Sequence, residues 1–438
     1  MLKDSFCSSP WFHFRIKPNG DFISCRWAPK NILSNHNISN TGLYEYFNSE
    51  EMNELRTSFL EGNQPDICRV CYYEDQHNKI NGRQLSLHRS LINYDNFEKS
   101  FCSSPHYSLF EYSHNNQGHT NYHPVDLQID LGNTCNNACI MCSPMYSSRL
   151  ADDYKKLNTI NPSVFNEQTS YTNWADNDEL LEKFVNELTT IPNVSYLHFM
   201  GGETLYLKGF YKICHALIKS GISKNISIGI TTNGTIYTQE FEDIIANFKS
   251  VQIGLSVEVI HSLNDYIRWP STIDNVVKNL NKFIKLKEKG NIQHLTLRIT
   301  PSILSIFHLD TIFRFMLDNN ITSENSNILW KPSCLRVELL PQNLVNQILD
   351  KFNKVIDDYN LIKVNSVVNR RNDNLIDDVI SNVIFEFKEF LETFTAPNDV
   401  ESERYKLVQF IRGFEQLRNN KILDYLPEYE EFLRSYGY

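Results

Sequence analysis

The strongest constraint on the fold is an alternation of strand-like and helix-like segments that begins near residue 125. Gly221 and Gly290 follow two of the helical patterns, where a glycine commonly ends a helix. Strands that alternate with helices predict right-handed βαβ units and a parallel sheet. Six units fit, the last less clearly; their strands are VDLQIDLG (125–132), VSYLHFMGGE (194–203), ISIGITTNG (226–234), VQIGLSVE (251–258), HLTLRIT (294–300) and NILWKPS (327–333).

These strands alternate polar and apolar residues, whereas the strands of a parallel sheet covered on both faces are usually apolar throughout. Gln252, Ser256 and Glu258 occupy one phase of the fourth strand, and His198 and Arg298 occupy the same phase of theirs. Because side chains alternate across a strand, each polar set lies on one face. A closed barrel is filled by branched apolar side chains. We therefore expect a partial α/β barrel with an open, polar lumen.

Charge and hydropathy exclude several classes of protein. The formal net charge of −10 provides no general basic surface, so contact with nucleic acid would need a local patch. No apolar run approaches the 18 residues of a membrane span, and the N-terminus lacks the apolar segment of a signal peptide. We expect a cytoplasmic protein that does not bind membranes.

The chain divides into three predicted parts. Residues 1–124 are rich in cysteine and aromatic residues, with a hairpin at IKPNGDFISC and a helix at SEEMNELRTSFLEG. Residues 125–341 form the barrel. Residues 342–438 read as a polar helical extension that either covers the bottom of the barrel or binds a partner.

Ten cysteines, eight of them within the first 142 residues, indicate metal binding. In a reducing compartment clustered cysteines favour metal over disulfides. Cys135, Cys139 and Cys142 form CNNACIMC directly after the first strand of the α/β region. Three thiolates in one loop can hold three irons of a [4Fe–4S] cluster and leave the fourth open, whereas structural zinc needs a fourth Cys or His nearby. Three buried cysteines without metal are the alternative.

This CxxxCxxC loop, followed by Gly-Gly-Glu at the end of the next strand, resembles the radical S-adenosylmethionine (SAM) superfamily. The resemblance implies a partial (β/α)6 barrel whose cluster binds SAM at its open iron. It further implies reductive cleavage of SAM to a 5′-deoxyadenosyl radical that abstracts a substrate hydrogen, and a flavodoxin- or ferredoxin-type reductant. The protein's part is then to position and shield the reacting groups, while the cofactor supplies the chemistry.

The resemblance also assigns contacts with SAM. Gly201, Gly202 and Glu203 match the motif for the amino group, and a carboxylate suits an ammonium. Ser256 and Arg268 match positions that hold the carboxylate or the ribose, and the planar fork of arginine suits a carboxylate. A turn at the glycines and a surface role for the arginine are the alternatives.

Further residues of the site follow from the same resemblance. Thr231 and Asn233 resemble the motif that borders the ribose, although a structural turn is nearly as well supported. Met141 stands where many relatives carry an aromatic residue whose backbone faces the adenine. The candidates for the substrate pocket, each with a structural role as the alternative, are His198, Glu258 (where relatives often carry Asp), Arg298 and Lys331.

A second group of cysteines lies before the barrel, at Cys7, Cys25, Cys68 and Cys71. Four thiolates can close one tetrahedral zinc site or one complete cluster. The arrangement resembles the auxiliary-cluster segment of SPASM/twitch radical SAM enzymes, although most such segments follow the barrel. Zinc and unligated thiols are the alternatives to a [4Fe–4S] or [2Fe–2S] cluster. Cys102 lies in a repeat of FCSSP, and we favour a loop over a ligand.

The predicted function is radical SAM modification of a peptide or protein side chain with help from the auxiliary cluster. Oxidation of a sugar, an aminocyclitol or another small metabolite is the alternative, and the net charge disfavours RNA. A non-catalytic metal-binding scaffold would tolerate loss of the motifs, which this chain keeps. No winged-helix recognition domain is evident, which weakens the peptide hypothesis. The basic run GRQLSLHRS (82–90) either touches an acidic substrate or forms a solvated face.

Overall fold

The computed structural model of the 438-residue chain describes residues 2–28, 34–76, 81–93, 96–323, 328–365 and 383–438. Its strands are β1 His13–Ile16, β2 Phe22–Ile23, β3 Asp126–Asp130, β4 Tyr196–Met200, β5 Ser227–Thr232, β6 Ser250–Ser256, β7 His294–Arg298 and β8 Thr322–Ser323. Its α-helices are α1 Leu2–Ser5, α2 Leu43–Phe47, α3 Glu50–Leu60, α4 Arg69–Gln76, α5 Gly82–Arg89, α6 Phe97–Ser103, α7 Tyr107–Asn115, α8 Ser148–Ile160, α9 Asp178–Thr190, α10 Lys208–Lys219, α11 Gln239–Ile245, α12 Leu263–Ile267, α13 Ile273–Glu288, α14 Leu309–Asn319, α15 Gln342–Asn365, α16 Phe385–Thr393, α17 Val400–Arg418 and α18 Glu430–Ser435.

One sheet contains the eight strands of the described residues, in the order β2-β1-β3-β4-β5-β6-β7-β8. Each neighbouring pair from β1 to β8 is parallel, and β2 runs antiparallel to β1. At least one helix separates each consecutive pair of strands from β3 to β8. Gly221 and Gly290 follow α10 and α13 with φ values of 82° and 80°, the left-handed conformation that a terminating glycine permits. The predicted α/β fold with a parallel sheet is confirmed.

The sixth predicted strand is wrong. The described residues of 327–333 contain no strand, and residue 327 lies outside the described part of the chain. The last strand is instead β8, which pairs with β7 soon after α14 ends. Pro332 has no backbone N–H to donate to a ladder, and the side chain of Trp330 is 69% exposed. The apolar run ILW therefore has the composition of a strand but does not pair with the sheet.

The predicted N-terminal hairpin is formed by β1 and β2 and extends the barrel sheet. Its turn is closed by a hydrogen bond from the backbone N of Gly20 to the carbonyl of Lys17, and Gly20 has a φ of 89°. Because β1 also pairs in parallel with β3, His13 lies opposite Asp126. Part of residues 1–124 thus belongs to the barrel sheet, and the predicted division at residue 124 stays a prediction.

The two faces of the sheet separate polar from apolar side chains, as the alternation indicates. Register places Gln128 opposite His198, His198 opposite Gly229, and Gly229 opposite Gln252, so that one polar row crosses β3 to β6. The residues in the alternate phase are buried in the main core; they include Leu127, Ile129, Leu197, Phe199, Ile228, Ile230, Val251 and Ile253. The polar lumen is present.

The predicted helical extension contains α15 to α18, and residues 366–382 of it lie outside the described part. Helix α17 packs against the side of the barrel, where Phe410 stacks on Phe165 at a centroid distance of 5.3 Å. A Cβ at Gly413 would meet the ring of Phe165 at 2.8 Å, so the small residue permits this close approach. Among the described residues no helix has the length and hydropathy of a membrane span.

Candidate active site and metal centres

The cysteine loop connects the carboxyl end of β3 to α8. Ser147 begins α8 by accepting a hydrogen bond from the backbone N of Leu150 at 3.1 Å, and its hydroxyl donates to the carbonyl of Asn137 at 2.6 Å. Cys139 is buried, while Cys135 and Cys142 are half-buried. The backbone N of Ala138 donates to the carbonyl of Trp269 at 2.7 Å. The loop is therefore held from its own helix and from the segment that carries Arg268.

Gly201 and Gly202 bring the end of β4 against the start of the cysteine loop. Their φ values are 90° and 25°. A Cβ at Gly201 would lie 2.5 Å from the carbonyl oxygen of Gly132, and one at Gly202 would overlap the carbonyl oxygen of Thr134. The backbone N of Glu203 donates to that same carbonyl at 3.1 Å. The two glycines thus permit backbone-to-backbone packing that no side chain would allow.

Glu203 is a buried carboxylate, 1% exposed, at the carboxyl edge of the sheet. It accepts hydrogen bonds from Thr232 Oγ1 at 2.6 Å and from the backbone N of Asn233 at 2.6 Å. Burial raises the pKa of Glu203, and these hydrogen bonds act in the opposite direction. No ion pair joins it to a cationic side chain in the described part of the chain. A buried carboxylate without a cation partner fits an ammonium group.

Arg268 lies between a carboxylate and a thiol of the loop. Its Nη2 donates to Glu258 Oε1 at 2.5 Å, and its Nη1 lies 3.7 Å from Cys139 Sγ. Glu258 also accepts a hydrogen bond from the backbone N of Thr300 at 2.8 Å. Burial raises the pKa of Glu258, while Arg268 opposes that shift. Glu258, a predicted pocket residue, thus orients Arg268 in this structure.

The predicted ribose and adenine residues surround the same loop. Asn233 Nδ2 donates to Asn136 Oδ1 at 2.8 Å and lies 4.0 Å from Cys135 Sγ. Ser256, half-buried, ends β6. Met141 is half-buried against the main core. The structure places these side chains at the carboxyl edge of the sheet, and their contacts with SAM stay predictions.

The predicted pocket residues separate into two groups. His198 is buried, with its Nε2 3.0 Å from Thr231 Oγ1, and burial lowers its pKa well below the ordinary value, with Arg298 acting in the same direction. The side chain of Arg298 crosses the face of Gly254, where a Cβ would overlap its Nε. Lys331 is exposed in the loop after β8. His198 and Arg298 thus lie in the lumen, while Lys331 lies at the surface.

The four N-terminal cysteines line one cavity. Burial raises the pKa of the Cys7 thiol to about 12, and the nearby Cys25 adds to that shift. The pKa of Cys68 is raised by burial and then by the other three thiols. Thiols that oppose one another's ionisation are the donor set that a cationic metal centre stabilises as thiolates. The residues fit a thiolate-ligated centre.

Within the described ranges, no group of three or more His, Cys, Asp or Glu side chains is placed to hold a single metal ion. Cys102 is exposed on α6 and does not line this cavity.

Two buried ion pairs in the site escaped the sequence analysis. Arg15 of β1 pairs with Asp130 at the end of β3, and its Nη2 donates to Tyr146 Oη at 2.8 Å. Arg418 of α17 pairs with Asp153 of α8 and donates to the carbonyl of Ala138 at 2.6 Å, inside the cysteine loop. Asp130 lies in the polar phase of VDLQIDLG, which is the signal that could have indicated it. Nothing local to Arg418 indicates its contact with a loop 280 residues earlier.

Two family models match parts of the chain. The model of the radical SAM superfamily matches residues 129–299. The model of SPASM, an iron–sulfur cluster-binding domain, matches residues 7–72, so the SPASM segment precedes the barrel. The two domains imply a [4Fe–4S] cluster, SAM and an auxiliary iron–sulfur cluster.

Solved structures are similar at low identity. Native anSMEcpe with bound AdoMet is 18% identical over 59% of this chain and 67% of that chain, with a TM-score of 0.38. Streptococcus suis SuiB bound to precursor peptide SuiA is 15% identical over 78% of this chain and 68% of that chain, with a TM-score of 0.35. No curated protein matches the chain.

Proposed function

We propose that the chain cleaves SAM at the cluster of Cys135, Cys139 and Cys142 and abstracts a hydrogen from a peptide or protein side chain. The observation that supports this most is the convergence of three elements at one edge of the sheet: the cysteine loop, the buried carboxylate of Glu203 and the guanidinium of Arg268. When bound, the reduced cluster supplies the electron that cleaves SAM. The residues of the chain bind and orient SAM and the substrate, and they exclude water.

Opposite charges at the two sides of the loop orient the methionine group of SAM. The Glu203 carboxylate receives the ammonium, since it is buried and forms no ion pair with a cationic side chain among the described residues. Arg268 presents a cation beside Cys139, and Glu258 fixes the direction of its fork. Asn233 and Thr231 border the ribose, Ser256 adds a hydroxyl, and the backbone of Met141 faces the adenine.

The N-terminal quartet holds the auxiliary cluster, which we assign as fully thiolate-ligated. Four cysteines leave no iron open, so this cluster transfers an electron or shapes the substrate channel rather than binding SAM. A flavodoxin- or ferredoxin-type protein supplies the electron for SAM cleavage. We keep the division at residues 124 and 341 as the domain proposal.

The proposed substrate is a peptide or protein side chain; relatives with auxiliary clusters act on peptides and protein side chains, and others act on sugars or aminocyclitols. The open polar lumen supports this, since the side chains of His198 and Arg298 line it. Lys331, exposed beyond β8, is proposed at the rim. Oxidation of a sugar or another small metabolite remains the second candidate, because a polar lumen also suits hydroxyl groups.

Release of 5′-deoxyadenosine tests the proposal. The protein, reconstituted anaerobically with iron and sulfide, is incubated with SAM and dithionite, and the nucleoside is measured by chromatography. We expect wild type and Cys102→Ala to release it, since Cys102 is exposed and outside both cysteine groups. Cys139→Ala should release none. Equal release by Cys139→Ala and wild type would contradict the assignment.

A further inference from the structure

A second cavity, of about 340 Å³, lies at the amino-terminal ends of the strands, opposite the cysteine loop. Its walls come from two of the three parts of the chain: His13, Arg26 and Arg89 lie within residues 1–124, while Asp126 and Tyr196 begin β3 and β4. The volume is within the range of about 300–1,000 Å³ that ligand pockets have. The cavity therefore has the size and the position of a binding site at the bottom of the lumen.

The charged groups that line this cavity are not balanced. Arg26 and Arg89 are cations, and Asp126 is the one acidic residue among the described residues of its lining. His13 Nδ1 lies 3.1 Å from Asp126, but burial lowers the pKa of His13. Burial also lowers the pKa of His106 on the same wall. The lining thus carries two cations against one anion at neutral pH.

Arg26 and Arg89 meet Asp126 differently. Arg26 Nη2 donates to Asp126 Oδ2 at 3.1 Å, and its side chain is 12% exposed. Arg89 Nη1 lies 3.7 Å from the same oxygen, beyond hydrogen-bond distance, and its side chain is 57% exposed. The internal carboxylate therefore binds Arg26 directly and leaves the fork of Arg89 open to another acceptor.

The wall that carries Arg89 is held in place. Ser90 Oγ donates to Ser8 Oγ at 2.7 Å, and Ser86 Oγ lies 2.8 Å from the same atom. These buried contacts fix the last turn of α5, where Arg89 lies, to the N-terminal segment. A guanidinium carried on an anchored turn is suited to bind two oxygens of one carboxylate.

The cavity is continuous with the polar face of the barrel. Tyr196 Oη donates to Gln252 Oε1 at 3.3 Å across the lumen, and both residues line the cavity. His198 follows Tyr196 by one pleat in the direction of the SAM site. A ligand held at Arg89 would extend along this row toward the cysteine loop.

We propose that this cavity binds a carboxylate of the peptide substrate, through Arg89 with Arg26 behind it. The inference rests on the proposed function and names the chemistry that selects its substrate. A monoanion neutralises the surplus charge of the lining, while the retained Asp126 repels a more highly charged group. The carboxylate comes from an acidic side chain or from a peptide C-terminus.

Three probe peptides separate these sources: Ac-Ala-Glu-Ala-amide, Ac-Ala-Gln-Ala-amide and Ac-Ala-Ala-Ala with a free carboxylate. Their dissociation constants are measured by ligand-observed NMR on the reconstituted protein with SAM and without reductant. The proteins are wild type, Arg89→Gln and Arg434→Gln. Arg434 is the matched control, since its side chain is also exposed (64%) and pairs with a carboxylate, that of Glu430, and neither residue lines the cavity.

We expect wild type and Arg434→Gln to bind a carboxylate peptide about fivefold to tenfold more tightly than the glutamine peptide, as a charge-assisted contact to a half-exposed arginine allows. Arg89→Gln should lose that preference. The carboxylate peptide that binds more tightly shows whether the carboxylate comes from an acidic side chain or from a peptide C-terminus. Equal binding of all three peptides to wild type, no binding of any, or a preference that survives Arg89→Gln would overturn the inference. Release of 5′-deoxyadenosine by the same wild-type preparation reports separately on the proposed function.

Discussion

Arg418→Met should destabilise the protein at the cysteine loop. In the structure Arg418 Nη2 donates to the carbonyl of Ala138 at 2.6 Å and to Asp153 Oδ2 at 2.8 Å. Its guanidinium lies 5.1 Å from the ring of Trp269 and 4.3 Å from that of Phe414. Methionine keeps most of the apolar stem and removes the charge. The substitution therefore tests the ion pair and the loop contact rather than the filling of space.

The expected magnitude follows from the burial of the pair. The side chains of Arg418 and Asp153 are 2% and 11% exposed, so removal of the cation leaves a nearly buried carboxylate unpaired. Breaking a buried pair from one side costs about 3–5 kcal/mol. The slight exposure of Asp153 places the loss at about 3 kcal/mol. Adding Asp153→Asn removes the orphaned charge, so the double variant should regain about 1–2 kcal/mol.

The assay is urea unfolding of the four proteins in the cycle, together with the rate at which a chelator removes iron. Arg404→Met on the same helix is the control, because Arg404 also pairs with a carboxylate but donates to Leu339 rather than to the cysteine loop. Arg418→Met should lose both unfolding free energy and loop iron, and Arg404→Met should retain its iron. Additive effects in the cycle, or equal iron loss in both arginine variants, would refute the reasoning.

Three further results are expected. Glu203→Gln should weaken SAM binding by about 1.5–3 kcal/mol, measured by equilibrium dialysis, while the exposed Glu54→Gln should not; equal affinity would contradict the ammonium contact. A triple variant with Cys135, Cys139 and Cys142 replaced by Ala should retain iron, sulfide and a charge-transfer absorbance, and further replacement of Cys68 and Cys71 should remove them. A colourless triple variant that carries zinc would show that the N-terminal cysteines form a structural zinc site. Burial depresses the pKa of His198, so below about pH 6.5 this residue takes up a proton in the unfolded chain but not in the folded one. His198 should therefore lower the free energy of unfolding by about 1.4 kcal/mol at pH 5.5 and leave it unchanged above neutrality. His198→Gln should flatten the dependence of the unfolding free energy on pH, and an unchanged dependence would count against a neutral His198.

Local patterns made most of the barrel predictable. Five strands and the polar face of the sheet follow from a period of two, which depends only on neighbouring residues. The cysteine loop was evident because its ligands are close in sequence. The prediction of the sixth strand was wrong because it rested on the local pattern alone. The apolar run ILW matches that pattern, but Pro332 and the exposed Trp330 exclude it from the sheet.

Contacts between distant segments were not predictable. The pairing of β1 with β3 joins residues more than a hundred positions apart, and it creates both the Arg15–Asp130 pair and the second cavity. Glu258 was expected in the substrate pocket from its phase on a strand. Its partner depends on where the following loop returns, and that loop brings Arg268 to it.

The most direct test of the central claim is the electron paramagnetic resonance spectrum of the reduced wild-type protein with and without SAM. A cluster held by Cys135, Cys139 and Cys142 would leave one iron open to SAM, so the spectrum of that cluster should change on addition of SAM while that of the auxiliary cluster stays the same. The change should be absent from Cys139→Ala. A wild-type spectrum that is identical with and without saturating SAM would contradict the account.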